Sequence, residues 1–344
     1  MTGLASPHDL PALAAASARI GADALLIQGP GGNTSIKDDG VMWIKASGTN
    51  LADALTRDVF VPCDLVAMRA AMTAGEERAD QPAEFALQKG GLRPSIETSL
   101  HAVFPQRVVV HVHCVNTLAF AIRQDAKAAL GAHLAGFDWA IVPYTKPGAR
   151  LAAQVQAVLG PRTDVMVLAN HGLIVAADTV AAAFALLDRV VTAVKVTPRS
   201  VPPDVGLAGR QEHGFRALPS DHSLHSVAML TDLLMLATSG SLYPDHVIFC
   251  GVGATALLPG ETPSQAVTRV VAAGLPAPVF LLVPETGALL HEDASYSERA
   301  VAQCLGDVLT RVQQGVAVHV LTMAENAELL NWDAEKYRQS LNAR

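Results

Sequence analysis

Two histidines separated by one residue, His111 and His113, are the part of this sequence best suited to chemistry. They lie in residues 108–115 (VVVHVHCV), a run rich in β-branched residues that is typical of a buried strand. Successive strand side chains point to opposite faces, so residues two apart share one face. Two imidazoles close together on a rigid face can bind a divalent metal. For an isolated pair, the alternative is two core histidines satisfied by hydrogen bonds.

A third histidine follows another apolar run. Residues 164–169 (DVMVLA) predict a second buried strand, which ends at Asn170, His171 and Gly172. A histidine at a strand end, beside a glycine that permits a sharp turn, is well placed as a third ligand. Three neutral nitrogen ligands leave coordination open, which is typical of a catalytic rather than a structural zinc site. Such a metal is a Lewis acid that can polarise a carbonyl and stabilise an enediolate.

A carboxylate that takes and returns a proton would complete this chemistry, and Glu97 is the candidate. It lies in residues 93–101 (RPSIETSLH), just ahead of the histidine strand. Ser95 is a good N-cap residue, and an acidic residue suits the first turn of a helix. Ser95 and the free N–H groups of Ile96 and Glu97 could therefore also bind an anion. Taken alone, Glu97 fits simple pairing with the helix dipole equally well.

Two further stretches carry groups suited to an anion. Residues 29–35 (GPGGNTS) predict a glycine-rich turn whose backbone N–H groups can approach an anion, or an ordinary tight turn. The spacing excludes a P-loop and a dinucleotide-binding fingerprint. Residues 45–50 (KASGTN) end a hairpin that turns at residues 38–40, and they offer a cation and hydroxyls. The alternative for this stretch is a polar loop that happens to contain a lysine.

Helices and strands alternate around these residues. The patterns predict helices over residues 8–28, capped by Asp9 or Ser6, and over 117–133 and 178–196. A proline- and glycine-rich stretch at 197–220 predicts a domain boundary. Beyond it the sequence predicts helices at 221–238, 296–314 and 324–341, and strands in HVIFCG (246–251), ATALLP (254–259), VFLLVP (279–284) and VAVHVL (316–321). His222 and His225, one helical turn apart, offer a weaker second metal site.

Composition limits the class of protein. The chain has 344 residues, enough for two domains, and half of them are hydrophobic. Its 25 basic and 32 acidic residues give a net charge of −7, which argues against a nucleic-acid partner. Four scattered cysteines without a CxxC pair indicate reduced thiols rather than a disulfide framework. No signal peptide is evident and no apolar run reaches the ~18 residues of a membrane span, so we expect a soluble, cytoplasmic protein without a membrane partner.

The motifs together resemble the class II aldolase/adducin family over residues 8–196. The matching motifs are Gly32-Asn33-Thr34-Ser35, Ala46-Ser47-Gly48, Pro94-Ser95-Ile96-Glu97 with His101, His111-Val112-His113 and Asn170-His171-Gly172-Leu173. The versions GPGGNTSIK, WIKASG and RPSIETSLH resemble the rhamnulose-phosphate aldolase-like branch, which is often fused to a short-chain dehydrogenase. DHVIFCG and LNWDAEKYR resemble the connecting domain of that branch. The chain stops where the dehydrogenase would begin, so we expect no dehydrogenase activity.

The resemblance implies an α/β protein with a three-layer αβα domain over residues 1–200 and a smaller C-terminal α/β domain over 221–344. It implies zinc, or another divalent metal, held by His111, His113 and His171, with Glu97 as the acid/base. Asn33, Ser47, Gly48 and Ser95 match the family's phosphate pocket. The implied reaction is reversible cleavage of a short ketose phosphate, rhamnulose 1-phosphate-like, into dihydroxyacetone phosphate and an aldehyde. A homo-oligomer, most often a tetramer, is implied as well.

Two departures from the family pattern leave the reaction open. Ile96 stands where the aldolases often carry a second serine, which removes one phosphate hydroxyl; we expect Lys45 to replace it with a charge. The sugar aldolases also use a tyrosine of a neighbouring subunit to protonate the leaving aldehyde, and residues 124–139 contain none, His133 being a poor stand-in. A decarboxylase or a 4-epimerase of a phosphorylated sugar or sugar acid is therefore the alternative. A non-enzymatic adducin-like module is a third, but such modules lose the ligand histidines.

Overall fold

The chain forms two compact units in the structure, a computed structural model that describes residues 6–88 and 90–332. The first unit comprises the chain up to Thr117 together with Leu130–Val194. The second comprises Leu118–Ala129 and the chain from Lys195 onward. The segment Leu118–Ala129 joins the second unit through backbone hydrogen bonds, such as that from His319 N to Ile122 O at 2.7 Å.

The first unit is built on a seven-stranded sheet. Its strands are β1 (Asn33–Asp38), β2 (Val41–Lys45), β3 (Phe60–Asp64), β4 (Val108–Val112), β5 (Trp139–Val142), β6 (Val165–Leu168) and β7 (Gly172–Ala177). They lie in the order β3-β2-β1-β4-β7-β6-β5, and every neighbouring pair is antiparallel except β5 and β6. The chain reverses between β1 and β2 at Asp39 and Gly40, which both have positive φ, so the predicted hairpin is confirmed.

Helices cover both faces of this sheet. The helices of residues 6–194 are α1 (Leu10–Gly21), α2 (Leu65–Ala74), α3 (Thr98–Val103), α4 (Val115–Ala121), α5 (Ala126–His133), α6 (Ala149–Val158) and α7 (Val180–Ala193). Val109 of β4 packs with side chains of α3 and α6, whereas α1 and α7 approach the sheet at β1, β4 and β7. Val108 and Val110, which point the opposite way from Val109, are also fully buried. The expected three-layer αβα domain is confirmed.

Several element boundaries differ from the sequence prediction. The first helix ends at Gly21 rather than at residue 28, because the Asp23 side chain accepts the N–H of Leu25 and forms a local turn. Asp9 occupies the N-cap position without capping, since its carboxylate binds Arg107. The helix predicted over 117–133 is two helices, α4 and α5, separated at 122–125.

The second unit has a smaller mixed sheet. Its strands are β8 (Gln211–Glu212), β9 (Phe215–Ala217), β10 (Thr255–Ala256), β11 (Phe280–Val283) and β12 (Gly287–His291), in the order β10-β11-β12-β9-β8. Its further helices are α8 (Ser223–Met229), α9 (Thr231–Thr238), α10 (Pro244–Cys250), α11 (Pro263–Ala272), α12 (Tyr296–Leu309) and α13 (Met323–Leu330). The smaller C-terminal α/β part of the expected fold is thus confirmed.

Two apolar runs of this unit were predicted wrongly as strands. HVIFCG is the body of α10, which begins at Pro244 and is buried along its whole length. A short run that is apolar on every side has no period that distinguishes a buried helix from a buried strand. VAVHVL contributes only an isolated bridge between Val318 and Arg123. Residues 333–341 of the predicted last helix lie outside the described residues.

Within the residues that the structure describes, no helix is both long and apolar enough to cross a membrane.

Candidate active site

Three histidines converge at the end of the central strands of the first unit's sheet. His111 lies in β4, His113 follows directly after it, and His171 lies in the turn between β6 and β7. Their ring centroids are 4.9–5.4 Å apart, and one ring nitrogen of each lies within 4.8 Å of the others. Among the described residues, this triad is the one group of three or more histidine, cysteine or acidic side chains arranged to hold a metal.

The strand order explains this convergence. β4 and β7 are antiparallel neighbours, with His111 opposite Ile174 and Val112 opposite Leu173. The turn that leads into β7 therefore carries His171 to the end of β4. The predicted strand 108–115 ends at Val112, so His113 extends beyond the ladder while remaining on the side of His111.

The glycine after His171 has a different function from the one that the sequence suggested. The residue with positive φ in the turn is Asn170, at 53°, which is a conformation that asparagine tolerates. Gly172 instead permits close packing. A Cβ at this position would lie 2.6 Å from the carbonyl oxygen of Val112 and 3.0 Å from Cε1 of His111. The glycine is needed because two histidine-bearing segments pass within backbone contact of each other.

The donor atoms of the triad fit a divalent metal. Nδ1 of His111 lies 3.1 Å from the carbonyl oxygen of Leu173, and a carbonyl only accepts, so the proton is on Nδ1 and the lone pair on Nε2. Nε2 of His111 and Nε2 of His113 lie 3.2 Å apart. Two ligands about 2.0–2.1 Å from one tetrahedral zinc would be about 3.3 Å apart. The spacing and chemistry of the donors therefore suit zinc or a similar cation.

Glu97 lies against the same nitrogens. Its Oε2 is 3.4 Å from Nε2 of His111 and its Oε1 is 3.3 Å from Nε2 of His171. The side chain is almost completely buried. Burial alone would raise the pKa of Glu97, but the imidazoles of His111, His171 and His113 in their protonated form and the amide of Asn33 lower it to about 2. A metal on the same imidazoles would supply positive charge in place of those protons. The carboxylate is thus held ionised at the position where a metal would bind.

The segment around Glu97 departs from the predicted helix start. α3 begins at Thr98 with Glu97 in the N-cap position, so Ser95 is not the N-cap. The Ser95 hydroxyl accepts the N–H of Glu97 at 3.2 Å, and the turn this bond closes precedes the helix. This N–H is therefore engaged within the chain rather than directed at an anion. The side-chain amide of Asn33 donates to Oε2 of Glu97 at 2.8 Å and to the Ser95 hydroxyl at 3.2 Å.

The remaining residues of the predicted anion pocket lie beside Ser95. The carbonyl of Lys45 accepts the N–H of Ser95 at 3.1 Å, and the N–H of Ser47 donates to the carbonyl of Arg93 at 2.9 Å. Gly48 follows with φ of 73°. The Lys45 ammonium is buried and donates to the carbonyl of Pro30 in the glycine-rich turn at 2.9 Å. The structure thus brings the strand end 45–48 alongside Ser95, with the lysine directed at the turn before Asn33.

One buried pair beside the site was not assigned a function from the sequence. The hydroxyl of Ser35 lies 2.7 Å from Nδ1 of His101, and both side chains are fully buried. Burial lowers the pKa of His101 to about 3, so this imidazole is neutral. From the sequence, His101 is recognisable only as part of a family motif. Its hydrogen-bond partner, Ser35, is 66 residues away along the chain, so no local pattern predicts the pair.

The second histidine pair does not form a metal site. Nε2 of His225 lies 2.9 Å from the carbonyl oxygen of Pro219, and Nδ1 accepts the N–H of Ala288 at 3.0 Å. Nδ1 of His222 accepts the N–H of Leu224. Three of the four ring nitrogens of this pair are therefore used within the fold.

The fold and the histidine triad identify the class of this protein. Residues 12–197 match the family described as the Class II Aldolase and Adducin N-terminal domain, and the chain belongs to that family. The resemblance expected from the motifs is therefore confirmed over residues 12–197.

One curated relative matches about half of the chain. An uncharacterized oxidoreductase of Bacillus subtilis, YuxG, is 28% identical over an alignment of 191 positions that covers 50% of this chain and 27% of that protein. The match thus spans about a quarter of the length of this curated relative, whose description fits the expected association with a dehydrogenase.

Solved structures also match a little more than half of the chain. The N-terminal class II aldolase domain of a conserved protein from Thermoplasma acidophilum is 26% identical, with a TM-score of 0.50 over 56% of this chain and 95% of that one. An L-fuculose 1-phosphate aldolase is 19% identical, with a TM-score of 0.40 over 56% of this chain and 86% of that one.

Proposed function

We propose that this protein is a divalent-metal-dependent carbon–carbon lyase that cleaves a short ketose phosphate, rhamnulose 1-phosphate-like, into dihydroxyacetone phosphate and an aldehyde. The observation that carries the proposal is the position of Glu97. A buried, ionised carboxylate lies 3.3–3.4 Å from ring nitrogens of two members of a histidine triad. That arrangement combines a proton acceptor with a metal-binding site, and cleavage of a carbon–carbon bond near a carbonyl requires both. The retained triad supports an enzyme rather than an adducin-like module.

His111, His113 and His171 would hold the metal, zinc being the metal that their nitrogens suit best. A metal bound there supplies Lewis acidity to a substrate carbonyl oxygen. The protein contributes the orientation of the ligands, since the Leu173 carbonyl fixes the ring of His111.

Glu97 would carry the proton. In the synthesis direction its carboxylate removes a proton from the carbon next to the carbonyl of dihydroxyacetone phosphate, and the aldehyde oxygen takes up a proton as the carbon–carbon bond forms. In the cleavage direction the substrate hydroxyl gives up its proton as that bond breaks, and Glu97, now a carboxylic acid, returns a proton to the carbon. Asn33 holds one carboxylate oxygen through a 2.8 Å hydrogen bond. The other oxygen, Oε1, lies 3.3 Å from Nε2 of His171 and would exchange the proton on the side of the metal site.

The substrate would be anionic and small. Ser47, Gly48 and Ser95 offer neutral donors that the backbone contacts of 45–47 with 93–95 hold together, and Asn33 borders them through its bond to the Ser95 hydroxyl. Lys45 adds one positive charge beside the glycine-rich turn. A cation with several neutral donors suits phosphate better than an uncharged hydroxyl group.

A decarboxylase or a 4-epimerase of a phosphorylated sugar or sugar acid is the second candidate. One observation favours the decarboxylase in particular. His133, the one stand-in for the missing tyrosine in residues 124–139, has Nδ1 2.9 Å from the carbonyl oxygen of Ala193. This bond leaves Nε2 as the one ring nitrogen that could protonate a leaving aldehyde, and residues 124–139 contain no tyrosine for that step. Loss of carbon dioxide needs no such donor.

Product analysis separates these reactions. Purified, metal-loaded protein is incubated with a panel of phosphorylated ketoses and phosphorylated sugar acids, and dihydroxyacetone phosphate and carbon dioxide are measured in parallel. Formation of dihydroxyacetone phosphate from a ketose phosphate, lost in Glu97→Gln, supports the aldolase. Carbon dioxide from a sugar acid supports the decarboxylase, and interconversion of two pentose phosphates without cleavage supports the epimerase. Failure with every member of the panel would contradict the proposal.

A further inference from the structure

Two neighbouring contacts join β1 to the segment that carries Glu97. Asn33 and Ser35 are two apart on β1 and share a face, while Glu97 and His101 lie one helical turn apart. Asn33 binds Glu97 at 2.8 Å and Ser35 binds His101 at 2.7 Å. The spacings match, because two strand residues advance about 6.6 Å and four helical residues advance about 6 Å. The strand and the helix start thus meet at two points.

We propose that Ser35 and His101 are positioning residues: their hydrogen bond fixes α3 on β1 and thereby holds the carboxylate of Glu97 against the histidine triad. The expected loss of kcat rests on the proposed function, whereas the expected displacement of Glu97 does not.

The register of the sheet explains why β1 can position both Glu97 and His101 relative to the metal ligands. Asn33 lies directly opposite His111 and Ser35 opposite Val109 in the β1–β4 ladder. The backbone that orients a metal ligand therefore also presents the two side chains that contact Glu97 and His101. A shift of α3 along β1 would move the base relative to the ligand.

α3 depends on such contacts because it is short. Six residues make few helical hydrogen bonds, and a helix of this length is not stable by itself. Its far end is held by Arg69, which donates to the carbonyl of Ala102 at 2.8 Å, and by Lys37, which donates to that of Phe104 at 2.6 Å. From β1, Asn33 contacts Glu97 at the N-cap of α3 and Ser35 contacts His101 in its last turn.

The chain contains a matched control on the opposite face of β1. The hydroxyl of Ser17 in α1 lies 2.8 Å from that of Thr34, and both residues are fully buried. Ser17→Ala and Ser35→Ala each remove one serine hydroxyl from an equally buried hydrogen bond between β1 and a helix. Only the bond between Ser35 and His101 lies on the face of β1 that contacts Glu97.

The test compares these two variants in melting temperature, kcat, KM and crystal structure. We expect both to lower the melting temperature by a similar few degrees, about 2–4 °C. Ser35→Ala should in addition lower kcat about 10-fold or more with little change in KM, because a displaced base slows only the proton transfer. Crystals of Ser35→Ala should show Glu97 moved away from His171, and those of Ser17→Ala should not.

A second pair of variants guards against misfolding. His101→Asn, whose amide can still meet the Ser35 hydroxyl, should restore kcat relative to His101→Leu. The double variant Ser35→Ala/His101→Leu should lose no more kcat than either single variant, because all three lack the same hydrogen bond. Equal kcat in Ser35→Ala and Ser17→Ala, with Glu97 unmoved, would overturn the inference. If the wild-type protein cleaves no substrate, the proposed function fails, and the position of Glu97 in the two crystal structures still decides the positioning role.

Discussion

The side-chain amide of Asn33 donates to Oε2 of Glu97 at 2.8 Å, across 64 residues of sequence. The same nitrogen lies 3.2 Å from the hydroxyl of Ser95. Asn33 therefore joins the proposed base to the proposed anion pocket. An anion bound beside Ser95 would meet an amide that already orients the carboxylate, so substrate binding and the position of the base are linked through one side chain.

We predict one divalent metal per chain, bound by the triad. His113→Ala should reduce the metal content to near zero, because the two remaining ring nitrogens and Glu97 do not complete the three-nitrogen set. Elemental analysis of the purified proteins measures this. His222→Ala, which alters the other histidine pair, is the control and should keep its metal. Full occupancy in His113→Ala would place the metal elsewhere.

Glu97→Gln should fold and bind metal but lose roughly 10²–10⁴-fold in kcat, the usual contribution of general acid–base catalysis. Glutamine keeps the shape and can still accept the hydrogen bond from Asn33, so the loss reports the proton transfer itself. Exchange of hydrogen for deuterium at the carbon next to the carbonyl of dihydroxyacetone phosphate follows this step directly. Near-normal exchange in the variant would assign the base to another residue.

Lys45→Met should raise the KM for an anionic substrate by roughly 10–100-fold, as the loss of a charge-assisted contact of ~1.5–3 kcal/mol implies. Metal content should not change.

Lys37→Met is the matched control, because Lys37 is also a buried lysine that donates to backbone carbonyls, those of Phe104 and Gln106. This variant should lose stability without a specific rise in KM for the anion. Equal turnover of neutral and phosphorylated ketoses, or a Lys45 variant with unaltered kinetics, would point to an uncharged substrate.

Gly172→Ala should weaken metal binding by roughly 10–100-fold, a loss typical of disturbed ligand orientation. The added methyl would collide with the Val112 carbonyl and press on the ring of His111. A metal titration with a competing chelator measures the affinity.

Gly131→Ala is the control, since a Cβ there meets nothing within 4 Å and Gly131 lies within α5. It should leave metal affinity unchanged and, if anything, raise the melting temperature, because alanine favours a helix over glycine. Unchanged affinity in Gly172→Ala would mean that the two segments can separate without cost to the site.

The sequence by itself determined the family, the αβα class and the local chemistry. His111 and His113 were predictable as a pair because strand geometry places residues two apart on one face. The hairpin turn was predictable because Asp39 and Gly40 must adopt positive φ there, and these residue types tolerate it. Such features depend on neighbours along the chain, which the sequence states directly.

Only the tertiary structure decided the relationships between distant segments. The contacts of Glu97 with His171, of Ser35 with His101 and of Lys45 with Pro30 depend on the order and register of the strands. The local sequence pattern does not specify the order and register of the strands. The same reason explains the errors: Ser95 was expected to cap a helix but closes a turn before it, and the apolar run 246–251 became a helix. Packing against other elements, rather than local preference, selects among conformations that a short segment can adopt equally well.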